Sequence, residues 1–287
     1  MNHRIGVNTW VWCSPPTDEQ LATLVPRIAA WGFDLVEIPV EDRGQWDPRR
    51  TRALLDEHGL GATVCLVMPP GRELAATDAT TVADTQEYLR HVVDVAATVG
   101  SGVIAGPAYT SVGRTWLLEP SERQRAYDEV ANHLRPVAAH AADRGVRIAI
   151  EPLNRFETSL VNTVDQALEI VRRVDDATVG IALDTFHAAI EERDLVAGVR
   201  RTSGHLHHVQ VCGSDRGSPG GDNVDWRGLL ATLAEIGYDG PLCIESFTSE
   251  NETIATAAAI WRPLAPTQDQ LATDGLGFLR ELIGARA

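Results

Sequence analysis

The sequence predicts an α/β fold, a closed (β/α)8 TIM barrel that forms a single domain over residues 1–287. Short apolar runs alternate with helical stretches eight times along the chain, a pattern typical of parallel strands joined by crossover helices. A closed barrel accommodates eight such units at this length. An open doubly wound sheet is the alternative, but residues 8–16 (NTWVWCSPP) lack the glycine-rich turn that normally follows its first strand.

Each predicted strand is a short run of β-branched and apolar residues. In chain order the eight runs cover residues 5–9, 35–40, 62–67, 102–107, 146–152, 179–185, 205–211 and 241–246. No linker, low-complexity tract or block of charge divides the chain, which favours a single domain.

The helical stretches are delimited by capping residues and by glycines. The first begins at Thr17 or Asp18 and ends at Gly32. The predicted helices cover residues 17–32, 81–100, 121–145, 163–174, 225–237 and 271–284, with a less regular helical pattern over 189–201. The loosest segment, residues 213–224, follows the seventh strand, where an active-site loop is expected.

Composition excludes several classes of function. The formal net charge is -15 at pH 7, and a strongly acidic surface repels nucleic acid and anionic membranes. The apolar runs are too short and too interrupted to span a bilayer. The N-terminal segment lacks the apolar core of a signal peptide, and the four cysteines show no CxxC spacing. We therefore expect a cytoplasmic protein with reduced thiols.

The sequence contains no lysine. This excludes Schiff-base chemistry on a lysine, lysine-anchored pyridoxal phosphate and a Walker-type phosphate loop. Any carbonyl chemistry must therefore proceed without a side-chain amine as nucleophile.

Acidic and amide side chains stand at the ends of four consecutive predicted strands. Glu151 ends the fifth, Asp184 the sixth, Gln210 the seventh and Glu245 the eighth. The active site of such a barrel lies at the carboxyl ends of its strands, so these side chains are expected to meet. One strand-end acid is more often a helix cap or half of a surface ion pair. Four in consecutive strands predict a divalent-metal site, because a cation relieves their mutual repulsion.

Other polar residues near these strand ends have two interpretations. Asn154, Arg155 and Glu157 could form an ordinary loop network, with Arg155 in a structural role. His187 could cap the turn after the sixth strand, and Arg216 could be a solvated loop residue. Facing the site, both could instead bind a substrate.

The seventh strand carries His205, His207 and His208. Strict alternation places His207 on the outer face, and it places His208 on the inner face, one layer below Gln210. We expect His208 to lie in the pocket or behind the metal ligands, with direct ligation as the alternative.

Several motifs, in this order, resemble the ketose 3-epimerases, the D-tagatose 3-epimerase and D-psicose 3-epimerase group of the xylose-isomerase-like barrels. The resemblance covers essentially the whole chain. The matching segments are GFDLVEIP (32–39), IEPLNRFET (150–158), ALDTFHAAIEE (182–192), SDRGSPGGDNVDW (214–226), IESF (244–247) and IWRPL (260–264).

The resemblance implies roles for particular residues. The family's metal ligands fall on Glu151, Asp184, Gln210 and Glu245, and its catalytic pair on Glu151 and Glu245. Its substrate-binding residues fall on Glu157, His187 and Arg216. We add Phe247 to the substrate-binding set, because Trp10, Trp12, Trp116 and Phe247 either wall the pocket or belong to the core.

Two residues depart from the epimerase pattern. The epimerases have His where this chain has Gln210, and usually Pro where it has Ser246. The related hydroxypyruvate isomerases also have Gln at this strand end. The amide oxygen of Gln can still bind a metal, so the departures bear on the substrate more than on the metal site.

The expected reaction is C3 epimerisation of a free ketose through an enediolate, with Glu151 and Glu245 as bases on opposite faces of the sugar. An all-oxygen ligand set suits Mn2+, with Mg2+ or Co2+ as alternatives. The resemblance also implies a homodimer or homotetramer. The expected ligand is a small sugar substrate, and we expect binding to neither nucleic acid nor a membrane.

Other functions remain open from the sequence. A hydroxypyruvate-isomerase-like aldose–ketose isomerase would use the same metal, and Gln210 favours it. A metal-assisted lyase acting on oxidised glycosides could use the same enediolate. An endonuclease IV type of barrel would need more zinc ligands and a surface compatible with DNA. A catalytically inactive sugar-binding barrel would be expected to lack one of the paired glutamates.

Overall fold

The computed structural model describes residues 3–285, and its strands form a closed parallel barrel in the order β1 to β8, with β8 paired to β1. The strands are β1 Ile5–Asn8, β2 Leu35–Val40, β3 Gly61–Leu66, β4 Val103–Gly106, β5 Arg147–Ile150, β6 Val179–Asp184, β7 Leu206–Val211 and β8 Leu242–Ile244. Each of these strands lies inside a predicted run, except that β3 begins one residue before its run, so the predicted (β/α)8 fold is confirmed.

Helices lie between successive strands and after β8. Among residues 3–285 they are α1 Asp18–Trp31, α2 Pro48–Glu57, α3 Ala79–Val99, α4 Pro120–Asp143, α5 Val164–Val174, α6 Thr185–Glu191, α7 Leu195–Arg201, α8 Trp226–Glu235, α9 Glu252–Ala257 and α10 Gln268–Gly284. The irregular pattern over 189–201 corresponds to the end of α6 and to α7, which are separate helices. Within the described residues, no helix combines the length and the apolar character needed to cross a bilayer.

Two helices, α2 and α9, were not predicted. The residues of α2 that are buried are Thr51 and Leu55, so its apolar stripe is too short to show a helical period. Helix α9 has six residues, fewer than two turns, and its short sequence carries no period either. Both helices depend on packing against the rest of the barrel, since isolated helices this short are marginal in water.

Helix ends follow their capping residues. The Thr17 hydroxyl accepts a hydrogen bond from the Gln20 amide, and the Gln20 side chain accepts one from Thr17, so α1 begins where the sequence predicts. Gly32 ends α1 in the left-handed conformation with φ 92°. Helix α4 begins at Pro120 rather than Ser121, because proline lacks only an N–H that the first helical turn leaves unpaired.

Alternate residues of the strands face the helices and the barrel interior. Val36, Ile38, Ile148 and Ile181 belong to the large apolar core beneath the helices. The interior contains a small cluster of Val103, Ala105, Ala149 and Ala182, and beside it the polar side chains described below. The large residues therefore pack outside the sheet, and the interior is left with small and polar ones.

The seventh strand contains a β-bulge, and this changes the orientation of one histidine. The pairing shifts between Ile181, which faces Leu206, and Ala182, which faces His208, so His207 is the extra residue. The ring of His207 lies against Gly180, where an added Cβ would be 2.6 Å from the ring. Gly180 shares a face of β6 with Ala182, so the prediction that His207 points outward is wrong.

The position of His207 gives a pH-dependent stability. Burial, and next the charge of Arg147, lower the pKa of His207 from 6.5 to about 4. Between pH 6.5 and about 4 the His207 ring takes up a proton in the unfolded chain but not in the folded protein. The free energy of unfolding is therefore at its full value above pH 6.5 and decreases as the pH falls towards 4. We expect wild type to lose up to about 3 kcal/mol through this residue, and His207→Gln to escape that loss.

Urea unfolding of both proteins at several pH values between 8 and 4 measures this difference. The two stability curves are expected to be parallel above pH 7 and to diverge below 6.5. Parallel curves over the whole range would contradict the assignment.

Candidate active site

The four side chains predicted as metal ligands meet at the carboxyl-terminal end of the barrel. Glu151 directly follows β5, Asp184 ends β6, Gln210 lies in β7 and Glu245 directly follows β8. All four are 5% exposed or less. The Gln210 Nε2 atom lies 2.5 Å from Glu245 Oε1. The parallel barrel therefore brings together residues that are up to 94 positions apart in the chain.

Arg216 occupies the centre of this group. Its guanidinium donates to Asp184 Oδ2 at 2.7 Å and lies 3.2 Å from Glu245 Oε2. The Cζ atom of Arg216 lies over the faces of two rings, 4.5 Å from the centroid of Phe186 and 4.7 Å from that of Phe247, which adds cation–π attraction. Arg216 is buried, so its alternative interpretation as a solvated loop residue is wrong.

The backbone of Arg216 is held in an unusual conformation. Its φ is 70°, a left-handed value that non-glycine residues rarely adopt. Its carbonyl accepts a hydrogen bond of 2.7 Å from the Ser246 hydroxyl, and its amide donates to the Gly213 carbonyl at 2.9 Å. Ser246, one of the two departures from the epimerase pattern, thus fixes the residue that carries the buried guanidinium.

His187 lies on α6 and faces the same group. Its Nδ1 atom accepts hydrogen bonds from the backbone and side-chain nitrogens of Asn154, both at 2.9 Å. Its Nε2 atom is 3.5 Å from Glu151 Oε1 and 3.3 Å from Arg216. Because Nδ1 accepts, the proton of the neutral ring sits on Nε2. Burial and the charge of Arg216 lower the pKa of His187, which favours that neutral form.

The loop after β5 separates two functions. Asn154 donates to Glu157 Oε1 at 2.8 Å and so joins Glu157 to His187. Arg155 points away and pairs with Glu191, with Nε and Oε1 2.9 Å apart. Glu157 therefore lies at the site, whereas Arg155 joins this loop to α6.

A cavity opens to solvent above these residues, and the empty space in it and at its mouth is about 540 Å3. Its polar side is formed by Glu151, Glu157, His187, Gln210, Arg216 and Glu245. Its apolar side includes Trp10, Leu66, Val67, Val112, Phe247 and Ile254. The sequence indicated Trp10 and Phe247 as possible members of this wall. It did not indicate Leu66, Val67, Val112 and Ile254, because these aliphatic residues carry no chemical signature.

The four aromatic residues considered for the pocket divide into two pairs. Trp10 and Phe247 line the cavity, with ring centroids 5.4 Å apart. Trp12 stacks on Trp31, and the guanidinium of Arg114 lies 4.0 Å from the ring centroid of Trp116. Trp12 and Trp116 therefore serve packing contacts.

Burial and mutual repulsion perturb the acids of the site. The pKa of Glu151 is raised well above its ordinary value by burial and by the charge of Asp184, with Arg216 opposing. Burial likewise raises the pKa of Glu245. The charge of Arg216 opposes this shift, and the charge of Asp184 adds to it. Burial also acts on Asp184, but Arg216 and His187 outweigh it and hold the pKa of Asp184 below its ordinary value. One guanidinium therefore neutralises only part of this charge.

The donor set fits a divalent cation. Within residues 3–285, the buried Oε1 atom of Gln210 has no hydrogen-bond partner, while its Nε2 atom donates to Glu37 and Glu245. Oxygen atoms of Glu151 and Asp184 also lie within 4.8 Å of each other and of His187. An unpaired buried amide oxygen beside crowded carboxylates is satisfied by a hard cation such as Mn2+ or Mg2+.

Sequence reasoning missed Glu37, which is fully buried in β2 and contacts Gln210. Its signal was available, since Glu37 is the one charged residue in the apolar run LVEIPV. His208 lies directly behind the site, as expected, with Nε2 2.6 Å from Glu37 Oε1.

The contact of Ser246 with Arg216 is testable by mutation. Ser246→Ala removes the donor to a buried carbonyl, and we expect the free energy of unfolding to fall by about 1–2 kcal/mol. Ser218→Ala is the matched control, because the buried Ser218 hydroxyl has no partner among the described residues. Denaturant unfolding measures both, and equal small effects would contradict the role of Ser246.

The family model of the xylose isomerase-like TIM barrel matches residues 25–282. The chain is 32% identical over 284 residues to the ketose 3-epimerase of Arthrobacter globiformis, with 98% of this chain and 97% of that protein covered. It is 31% identical over 278 residues to the L-ribulose 3-epimerase of Methylomonas sp. (strain DH-1), with 96% of each covered.

Solved structures agree with these relatives. The D-allulose 3-epimerase from Methylomonas sp., in complex with D-allulose, superposes with a TM-score of 0.90 at 30% identity, covering 98% of both chains. A structure of L-ribulose 3-epimerase superposes with a TM-score of 0.92 at 28% identity, covering 99% of this chain and 95% of that one. The chain therefore belongs to the xylose isomerase-like TIM barrel family and, within it, to the ketose 3-epimerases.

Proposed function

We propose that this sugar isomerase inverts C3 of a free ketose through an enediolate, with Glu151 and Glu245 as its acid–base pair. The observation that carries the proposal is the placement of two buried glutamates with raised pKa values at one cavity. Glu151 follows β5 and Glu245 follows β8, three strands further around the barrel. They approach a bound sugar from different sides, as inversion of a carbon requires.

The proton chemistry follows from this placement. One glutamate takes the C3 proton of the ketose, which is acidic because C3 is next to the C2 carbonyl. The electron pair left at C3 delocalises onto the carbonyl oxygen to give the enediolate. The other glutamate returns a proton to C3 from the opposite face. A raised carboxyl pKa suits both steps, since acid–base catalysis works best near the operating pH.

The remaining polar residues hold the substrate. The buried guanidinium of Arg216 remains charged and donates to substrate oxygens that gain negative charge. The Nε2–H of His187 is directed at the same region, and Glu157 accepts from a sugar hydroxyl. Phe247 offers an apolar face between Trp10 and Arg216.

A divalent cation would be held by Glu151, Asp184, Gln210 and Glu245, and we propose Mn2+, with Mg2+ or Co2+ as alternatives. When bound, it polarises the ketose carbonyl and lowers the pKa of the neighbouring C–H. We further propose that residues 1–287 form one domain and that the enzyme is a cytoplasmic homodimer or homotetramer.

The charges of the cavity support a neutral sugar. Glu151, Glu157 and Glu245 line the cavity. Within the described residues, the guanidinium that lines it belongs to Arg216, which is already paired with Asp184 and Glu245. A sugar phosphate would meet net negative charge there, whereas a free ketose of five or six carbons would not. The apolar wall suits the carbon chain beyond C3.

One observation favours the aldose–ketose isomerase as a second candidate. Gln210 stands where the epimerases carry His, and the hydroxypyruvate isomerases resemble this chain at that position. Such an enzyme would form the same enediolate and return the proton to the neighbouring carbon.

Proton NMR of the Mn2+-loaded enzyme with D-fructose, D-tagatose and D-ribulose in D2O tests the reaction. We expect deuterium at C3 together with the 3-epimer, abolished by a chelator. Glu151→Gln and Glu245→Gln are each expected to lower kcat by about 10²–10⁴. The exposed Glu235→Gln on α8 is the matched control and is expected to be unchanged.

The same experiment separates the alternatives. Deuterium at C1 with formation of an aldose would support the isomerase instead. Absence of exchange in every free ketose would contradict the proposed substrate class and point to modified or glycosidic sugars.

Metal binding and substrate binding are separable by mutation. With Mn2+ about 100-fold above its Kd, the free energy of unfolding is expected to rise by about 2.7 kcal/mol. Asp184→Asn is expected to lose most of this rise. Glu157→Gln is expected to keep it and to raise KM instead. Thermal unfolding with and without Mn2+, paired with steady-state kinetics, measures both, and loss of the rise in Glu157→Gln would contradict the assignment.

A further inference from the structure

We propose that Glu37 is a positioning residue that selects the orientation of the Gln210 amide and so leaves its carbonyl oxygen available to the metal. The inference rests on the proposed metal site. It assigns a role in that site to a strand, β2, that contributes none of its four proposed ligands.

Glu37 lies in the interior of the barrel and is fully buried. Four donors converge on its carboxyl group. Its Oε2 atom accepts from Asn8 Nδ2 and from Gln210 Nε2, both at 2.9 Å. Its Oε1 atom accepts from Thr63 Oγ1 at 3.2 Å and from His208 Nε2 at 2.6 Å. This arrangement fits an ionised carboxylate, which only accepts hydrogen bonds.

The Gln210 amide therefore meets acceptors on its nitrogen side. Its Nε2 atom lies 2.9 Å from Glu37 Oε2 and 2.5 Å from Glu245 Oε1. In the opposite orientation the amide oxygen would face the ionised carboxylate of Glu37, with no proton between the two oxygens. That contact is repulsive in a buried site, so the orientation with nitrogen towards the carboxylates is the favoured one.

The consequence appears on the other side of the amide. The Gln210 Oε1 atom is buried and has no hydrogen-bond partner within residues 3–285. An unpaired buried acceptor of this kind lowers the stability of the folded protein, so the oxygen is available for a ligand that satisfies it. Of the two carboxylates that fix the amide, Glu245 is itself a proposed metal ligand, so Glu37 is the one left to hold the nitrogen when Glu245 binds the cation.

Glu37 acts behind the site rather than in it. Within the described part of the chain, Gln210 and Glu245 line the cavity and Glu37 does not. Its carboxylate is held by partners from β1, β3 and β7, namely Asn8, Thr63 and His208. The position of Gln210 is thereby tied to the packing of the barrel interior.

A competing role for Glu37 is direct ligation. Glu37, His208 and Cys243 offer atoms that lie within 4.8 Å of one another, and all three are buried. The sulfur of Cys243 is a soft ligand, which suits Zn2+ or Cu+ better than the hard cation proposed for the site. The two roles predict different metal stoichiometries.

Isothermal titration of Mn2+ into the chelator-stripped full-length protein tests the proposal. Glu37→Gln keeps the shape of the side chain but adds donors, and we expect it to weaken Mn2+ binding about 10–100-fold. Stoichiometry is expected to remain one. Thr63→Val is the matched control, because it removes one donor to Glu37 and keeps the carboxylate, and we expect a change of less than about threefold.

A double-mutant cycle shows whether Glu37 acts through Gln210. In the Gln210→Ala background, Glu37→Gln is expected to change the Mn2+ affinity by less than about threefold, because the amide it orients is gone. An equal loss in both backgrounds would overturn the proposal, as would a stoichiometry of two in wild type. Glu37→Gln with wild-type affinity and reduced stability would show a purely structural role and also overturn it.

Two further outcomes keep the test decisive. If Glu37→Gln does not fold, Glu37→Asp withdraws the carboxylate by one methylene, and unchanged Mn2+ affinity in it would overturn the proposal. If wild type itself binds no Mn2+, the metal-dependent function fails. If wild type binds Mn2+ and the Glu37 variants bind it with wild-type affinity, the proposed role of Glu37 fails while the proposed metal site stands.

Discussion

The burial of negative charge at one end of the barrel governs the contacts of the whole site. Glu151, Asp184 and Glu245 are each at least 95% buried, and the guanidinium that contacts two of them is that of Arg216. Carboxylates in such a setting must be paired, protonated or bound to a cation. The raised pKa values of Glu151 and Glu245 and the lowered pKa of Asp184 show how this conflict is divided among them.

The surrounding structure fixes the groups that answer this charge. Phe186 and Phe247 enclose the guanidinium of Arg216, and Ser246 holds its backbone in the left-handed conformation. Strained backbone of this kind persists only where neighbouring contacts determine it. Asn154 fixes the ring of His187 and leaves its proton on Nε2. The site is thus built from an acidic centre and a rigid set of donors around it.

The cavity joins this polar centre to an apolar wall, and the division matches the proposed chemistry. Proton transfer at C3 needs the two glutamates, while the carbon chain of the sugar needs only shape and apolar contact. The family is shown by the relatives and by the match over residues 25–282. Gln210 and Ser246, the two residues expected to depart from the epimerase pattern, each have a definite partner, Glu37 for the first and Arg216 for the second.

The eight strands and the convergence of Glu151, Asp184, Gln210 and Glu245 are predictable from the sequence, because apolar runs and strand-end positions are local patterns. The other features depend on contacts between segments far apart in the chain. A bulge turned His207 towards Gly180, and packing stabilised α2 and α9 although their own sequences carry no helical period. The orientation of the Gln210 amide depends on Glu37, which lies 173 residues away in the chain. Contacts over that separation form only when the barrel closes, and no local pattern encodes them.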